Sequence, residues 1–296
     1  LSMPLFGDLL RRRIEFVLPL TPSELERAIT GPIERLGLQA DPALVERISA
    51  DVSEEPGALP LMQYALTEIF ERRSGRMLSL SAYEKIGGVT GALARRADEV
   101  YQGLDEAGQA AARQIMLRLL TLGEGKEDTR RRAPLSELVS VVPDTLIRQT
   151  ALNAFTSARL LTFDQDQSTR EPVVEVAHEA LIREWHLLRS WLDDSRADVR
   201  QQRQLAVAAA EWGNSRRDDS YLLSGTRLSQ FEEWGAVTDL MLTPLERDYL
   251  RAGVADRVRR EAAEAARLAR EDALEARSRK VLRVLVGVFA VAAILS

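Results

Sequence analysis

The chain has 296 residues, a length suited to two domains of ordinary size. Hydrophobic residues make up 45% and charged residues 29%, enough apolar mass for real cores, and a net charge of −5 argues against a protein drawn to nucleic acid or acidic lipid. The absence of cysteine excludes disulfides, thiolate metal sites and a cysteine nucleophile, and two histidines, His178 and His186, are too few for a histidine metal cluster.

Residues 14–20 read as a short extended segment that contains Pro19. Thr21-Pro22-Ser23-Glu24 gives a helix start, with a capping threonine, proline at the first helical position and glutamate three residues on. Leu25, Ala28, Ile29, Ile33 and Leu36 follow at helical spacing. Asp41-Pro42 opens a second helix with Leu44, Val45, Ile48 and Val52 on one side. Pro56-Gly57 breaks it, a third helix runs from about Pro60 to Arg73, and a fourth from about Thr90 to Tyr101 after a turn at Gly87-Gly88. Four short helices with tight breaks predict a small all-helical module.

A second module begins with a helix capped by Asp105 and continuing to about Leu122, followed by a glycine- and charge-rich loop over residues 123–132. Near Pro143-Asp144 a further helix carries Ile147, Ala151, Ala154, Phe155 and Ala158 as a core-facing stripe. Leu160–Phe163 and Val173–Ala177 read as two strands around a polar loop. Helix, short helix, helix, hairpin is the winged-helix order. Leu181, Trp185, Leu188 and Leu192 then form another apolar stripe, and Trp212 and Trp234 require apolar cover within a helical stretch over 198–250. Residues 254–280 are almost all Ala, Arg and Glu, with opposite charges at i,i+4 such as Asp256 with Arg260 and Glu275 with Arg279. This reads as a long solvated helix, a spacer, with a coiled-coil arm as the alternative. From Val284 to Leu295 no polar residue interrupts the run, and Arg277, Arg279, Lys280 and Arg283 precede it. That pattern reads as a membrane helix entered from the cytoplasm and cut short, with a buried C-terminal helix as the alternative.

A phosphate cradle needs G-x-x-x-x-G-K-[ST], so that successive backbone N–H groups wrap the phosphates. Gly123-Glu124-Gly125-Lys126-Glu127 fails, with Leu120 where the first glycine belongs and Glu127 where the hydroxyl belongs. Gly87-Gly88-Val89-Thr90-Gly91 lacks the lysine. No catalytic residue and no metal ligand set is expected. Two segments stand out. Pro56 to Leu61 places a rigid apolar turn at a helix start, a ledge of the kind an adenine ring packs on, or a plain helix N-terminus. His178, in Val176-Ala177-His178-Glu179, sits where a strand hands over to a helix, and there it can donate to an anion or serve as a core histidine.

The chain resembles the novel STAND NTPase family, bacterial relatives of the ATPase cores in apoptosis and plant-immunity switches. The resemblance is carried by Leu18-Pro19-Leu20-Thr21 with Ala28-Ile29 and Pro32; by Pro56 through Gln63; and by Tyr83 with Ile86 through Ala94. Val176 through Trp185 with Trp191-Leu192, Tyr221 through Leu228, and Leu242 through Arg247 continue it in the same order. It implies that Pro60 matches a lid proline that touches adenine, although Gly57 lies three residues before it where the wider class has two. It also implies that His178 matches the histidine of a Met-His-Asp motif that contacts ADP phosphates, with Ala177 and Glu179 in the flanking places and Glu179 a nucleotide contact of lesser standing.

The expected architecture is mainly α: a helical lid domain followed by a winged-helix domain with a small β-hairpin wing and a long C-terminal helical spacer. Its expected boundaries are 1–20, the tail of a P-loop NTPase domain missing from the chain; 21–102, the lid; 103–195, the winged helix; 196–250, a helical extension; 251–280, the charged spacer; and 281–296, the start of a transmembrane helix. The function implied is the regulatory lid and winged-helix fragment of an ATP/ADP-dependent signalling switch that controls oligomerisation. ATP or ADP with magnesium belongs to the intact protein, none to this fragment alone, and no autonomous catalysis is expected. The implied partners are the P-loop domain, a C-terminal WD-repeat propeller, further copies on activation and the membrane, with a cytoplasmic location anchored by the C-terminal helix and no nucleic acid. The rivals are a winged-helix DNA-binding regulator, reading DNA through residues 143–158 with Arg148 as their one basic side chain and Arg130-Arg131-Arg132 nearby, and a membrane-tethered scaffold.

Overall fold

A computed structural model describes residues 20–54, 59–73, 75–123 and 127–294, with residues 54 and 281–294 described by their backbone alone. The chain is mainly helical and its β structure is confined to short strands. It packs as two compact units. The first takes in the described residues up to Gln109 together with 150–164 and 174–190; the second takes in 110–149, 165–173 and 191 onward.

In the first unit, α1 (Pro22–Arg35) starts on the expected capping box. Glu24 N–H donates to Thr21 Oγ1 at 3.4 Å and Thr21 N–H to Glu24 Oε2 at 2.8 Å. Leu25, Ile29 and Ile33 are buried on its inner face. The short strands β1 (Gln39–Ala40) and β2 (Met77–Leu78) pair in parallel. Helix α2 (Pro42–Glu54) buries Leu44, Ile48 and Val52. α3 (Leu59–Glu71) buries Leu61, Met62, Tyr64, Ala65, Glu68 and Ile69. A helix not anticipated from the sequence, α4 (Leu80–Lys85), is capped by Ser79, whose hydroxyl accepts from Ala82 N–H at 3.3 Å. At six residues it is too short to show a period. Gly87 and Gly88 then turn the chain with φ of 82° and 73°, left-handed values that favour glycine, into α5 (Gly88–Gln102). Tyr83 pins this turn: its hydroxyl donates to Asp51 Oδ2 at 2.7 Å and accepts from Val89 N–H at 3.1 Å.

Helix α6 (Glu106–Arg118) follows, then the antiparallel pair β3 (Leu120–Thr121) and β4 (Thr129–Arg130), and β5 (Ala133–Pro134). The helix expected to reach Leu122 therefore ends at Arg118. Leu119 and Leu120 are fully buried, and Arg131 N–H donates to Leu119 O at 2.7 Å, so the apolar run that continues the helical period is taken up by strand pairing. Next come α7 (Leu135–Val141), α8 (Thr145–Ser157) and the strands β6 (Leu161–Gln165) and β7 (Pro172–Val176), in the expected order of helix, short helix, helix and hairpin wing. Of the stripe expected on α8, Ala151, Phe155 and Ala158 are buried, while Ile147 and Ala154 are half-buried. The division into two units cuts across α6 and α8.

Helix α9 (Ala180–Glu184) leads into α10 (His186–Asn214), then a 3₁₀ turn (Asp219–Tyr221), α11 (Gly225–Val237) and α12 (Pro244–Ile294). In the second unit Trp212 and Trp234 have their apolar cover: they pack with Leu205, Leu228, Phe231 and Tyr249. Trp234 Nε1 also donates to Asp198 Oδ1 at 2.8 Å. A buried polar network sits beneath the start of α12. Arg118 Nη1 and Nη2 reach Glu246 Oε1 and Oε2 at 3.0 and 3.1 Å, and Nη2 also donates to Met241 O at 2.6 Å. Gln202 Nε2 donates to Glu246 Oε1 at 2.7 Å. Thr243 and Glu246 form a second capping box, with Thr243 N–H at 2.7 Å from Glu246 Oε2 and Glu246 N–H at 3.2 Å from Thr243 Oγ1.

α12 is 51 residues long, about 77 Å at 1.5 Å per residue. Residues 258–280 are exposed throughout, as the spacer reading requires, and the ion pairs Asp256–Arg260 (2.6 Å) and Glu275–Arg279 (2.8 Å) form as their spacing predicts. Among the described residues no helix is long and apolar enough to cross a membrane. The run from Val284 to Leu295, read as the start of a membrane helix, has side chains outside the described residues, as do the segment 1–19 and Gly57.

Candidate functional site

Pro60 stands exposed in the first turn of α3, where a proline costs no hydrogen bond. Tyr64 and Glu68 follow at i+4 and i+8, so the three lie along one face of the helix. Tyr64 is 7% exposed, and its ring meets the imidazole of His178 edge-on, with centroids 6.5 Å apart and planes at 69°. His178 arrives there because β7 ends at Val176. Ala177 N–H donates to Leu160 O at 2.9 Å, and His178 O accepts from Leu181 N–H at 3.0 Å to open α9. The imidazole is half-buried. Glu179, at the cap of α9, is exposed and makes no side-chain capping bond.

The segment that carries His178 is held firmly. Ala180, Leu181, Ile182 and Trp185 are buried, Trp185 completely. Trp185 Nε1 donates to Asp98 Oδ1 of α5 at 2.7 Å, and its ring packs on Tyr101 and Phe155 at centroid distances of 6.3 and 5.9 Å. The expected stripe of Leu181, Trp185, Leu188 and Leu192 is buried as a whole.

Around Tyr64 lies a charge cluster. Glu68, 6% exposed, is 3.1 Å from Arg72 and 4.0 Å from Arg96, and Glu99 is 2.8 Å from Arg72 and 3.4 Å from Arg96. Burial pushes the Tyr64 phenol above its ordinary value and the charge of Glu68 adds to this, so the hydroxyl keeps its proton. That hydroxyl is sealed from solvent and has no hydrogen-bond partner among the described residues. Two arginines stand against two glutamates in this cluster.

The two residues singled out in the sequence, Pro60 and His178, thus meet the same helix: Pro60 on its first turn and His178 against Tyr64 one turn later. The expected apolar ledge is divided. Leu61 is in the core at 3% exposure, whereas Leu59, 43% exposed, lines an apolar groove of about 480 Å³ with Met62, Leu66, Phe70, Ile29 and Leu36. Pro60 itself does not line that groove. Sequence reading passed over Tyr64, and only its place four residues after Pro60 pointed to it.

Of the basic side chains of the DNA-binding reading, Arg148 and Arg131 are taken up internally, while Arg130 and Arg132 are exposed. Arg148, the one basic side chain of the candidate recognition helix, is 8% exposed and donates through Nη1 to Val142 O at 2.6 Å and Pro143 O at 3.2 Å. Arg131, expected in a solvated loop, is half-buried and bonds Glu137 Oε1 and Oε2 at 3.0 and 2.7 Å. Helix α8 therefore offers no cation to a phosphate backbone. Specific duplex binders typically reach about 10⁻⁸ M or tighter at physiological salt, and fluorescence anisotropy with random and selected duplexes should find no complex in that range. A salt-resistant complex of that affinity would restore the DNA-binding reading.

No group of metal-ligating side chains occurs among the described residues. No curated protein and no solved structure matched the chain. The model of the family described as Novel STAND NTPase 1 matches residues 1–220. With most of its length inside that match, the chain belongs to the novel STAND NTPase family.

Proposed function

We propose that the chain is the regulatory lid and winged-helix part of an ATP/ADP-dependent signalling switch, with His178 contacting the phosphates of the inactive nucleotide and Pro60 packing near its adenine. The observation that carries the reading is the convergence of the two residues on α3: Pro60 exposed in its first turn, and His178 half-buried against Tyr64 one turn on. These residues fit a nucleotide touched at two points, but the sequence has no G-x-x-x-x-G-K-[ST] cradle to enclose its phosphates. Catalysis and magnesium binding accordingly fall to a P-loop domain of the full-length protein, which clamps ADP against His178 in a closed monomer. Exchange for ATP frees the winged helix and exposes a self-association surface. Glu179 is the weaker of the proposed contacts, since it is exposed and one residue removed from the imidazole. The basic flank at Arg277 to Arg283 and the apolar residues after it support a cytoplasmic protein anchored by its C-terminal segment, and the resemblance to the family is what suggests a WD-repeat sensor beyond it.

The test is His178→Ala in the full-length protein. A hydrogen bond to a charged phosphate contributes about 1.5–3 kcal/mol, so ADP should bind on the order of ten- to a hundred-fold more weakly. Calorimetry should show that loss, and light scattering should show larger assemblies. Unchanged ADP affinity together with a lowered melting temperature would make His178 a core histidine and end the proposal.

A further inference from the structure

We infer that Tyr64 is the positioning residue for His178, acting through the face-to-edge contact of its ring and not through its hydroxyl. The inference rests on the reading of His178 given above. His178 lies between the last residue of β7 and a five-residue helix and is half-buried, so the backbone fixes its Cα but leaves the imidazole plane to be set by neighbours. Tyr64 is one such neighbour, with ring planes 69° apart at a centroid distance of 6.5 Å, within the range in which edge-on aromatic pairs attract. It is itself immobile: 7% exposed, in mid-helix, with Leu61, Ala65 and Glu68 buried around it on α3. A rigid ring standing against a half-open one restricts the open ring more than it is restricted.

The hydroxyl is a different matter. It has no hydrogen-bond partner among the described residues and no contact with solvent. A buried donor without an acceptor destabilises the fold it sits in. Neither a phosphate outside nor the imidazole inside is served by it in this arrangement, so the ring is the part that acts. The two halves of the side chain therefore make opposite predictions on substitution, which separates a positioning role from simple core packing.

Two measurements decide it. In the full chain His178 and His186 are the only histidines, so selective imidazole labelling gives two sets of ring resonances, assigned with His186→Gln. The resonances of His178 should be displaced by the Tyr64 ring, remain displaced in Tyr64→Phe, and move towards those of an exposed histidine in Tyr64→Leu. No displacement in the wild-type chain overturns the inference whatever the variants do. In the full-length protein, ADP affinity should fall roughly two- to tenfold in Tyr64→Leu, the equivalent of one lost edge-on pair. Tyr64→Phe should bind ADP as the wild type does and melt at a higher temperature. Tyr64→Met, an unbranched side chain that fills gaps readily, replaces the leucine variant if that one folds poorly. Loss of ADP in Tyr64→Phe equal to that in Tyr64→Leu would place the hydroxyl on the ligand and overturn the ring role. If Tyr64→Leu keeps ADP while His178→Ala loses it, this inference falls and the switch reading stands. If both keep ADP, both fall.

Discussion

Arg118→Ala should destabilise the second unit by about 3–5 kcal/mol, the usual cost of stripping one partner from a buried ion pair. Arg118 and Glu246 are 4% and 2% exposed and are bound through two parallel N–H···O contacts. Without the guanidinium, Glu246 keeps only Gln202 and the Thr243 N–H as donors, and the carbonyl of Met241 loses the guanidinium as a donor. A neighbouring carboxylate sharpens the test. Burial works to raise the Glu137 carboxyl, but hydrogen bonds from Arg131 and the charges of Arg131, Arg118 and Arg203 outweigh it and hold it below its usual value of 4.5. A carboxyl depressed on folding contributes stability that is present above about pH 4.5 and lost as the pH falls towards its folded value. Wild type should therefore lose stability on acidification in that window, and Arg118→Ala should show a weaker pH dependence there. Urea unfolding of the two chains at pH 7 and pH 4 measures both effects. A difference below about 1 kcal/mol at pH 7, the scale of an exposed pair, would mean that the network is not what seats α12. The double variant Arg118→Met/Glu246→Met should recover much of the loss, because a buried pair replaced whole by apolar side chains leaves no stranded charge.

Trp185→Ala is expected to cost the first unit about 3–5 kcal/mol, the range for deleting a buried large aromatic. The indole is fully buried, packs on Tyr101 and Phe155, and holds Asp98 through Nε1. Trp185→Phe keeps one aromatic ring but loses the Nε1 donor and the second ring of the indole, so it should cost about 1–3 kcal/mol, less than the alanine variant. Denaturant midpoints of the two variants measure how much of the loss a single remaining ring recovers. Equal losses in both would mean that a single remaining ring recovers none of the packing. Because Trp185 anchors the segment that begins at His178, the alanine variant should also loosen ADP in the full-length protein, while Trp185→Phe should not.

What could be read from the sequence was what depends on near neighbours. The Thr21–Glu24 capping box, the β6–β7 hairpin, the burial of Leu181, Trp185, Leu188 and Leu192, and the ion pairs along α12 all follow from spacings of two to four residues. Among the residues that could not be read, the pairs that hold each unit together span long stretches of sequence. Nothing near Arg118 announces Glu246, 128 positions away, or near Trp185 announces Asp98, 87 positions away. Arg148 and Arg131 read as surface charges because their acceptors are a pair of carbonyls exposed by a loop and a glutamate on the next helix. The same limit hid β3: Leu119 and Leu120 continue the apolar period of α6, and only pairing with Thr129–Arg130 decides for a strand. The motif singles out His178 but not the ring beside it, since Tyr64 in isolation is one more buried residue of α3.

The base of α12 is clamped by Glu246, and its last lateral ion pairs to other elements are Arg257 with Glu232 and Arg259 with Asp219. From there to Lys280, among the described residues, the ion pairs are those along the helix itself, Arg267–Glu271 and Glu275–Arg279 among them, and every residue is exposed. A rod seated this way is a lever. Its arm from residue 260 to 280 is about 30 Å long, so a tilt of roughly 10° at residue 260 carries Lys280 through about 5 Å. A small change of direction where the lateral ion pairs end is thereby turned into a displacement of about the size of a helical turn at Lys280.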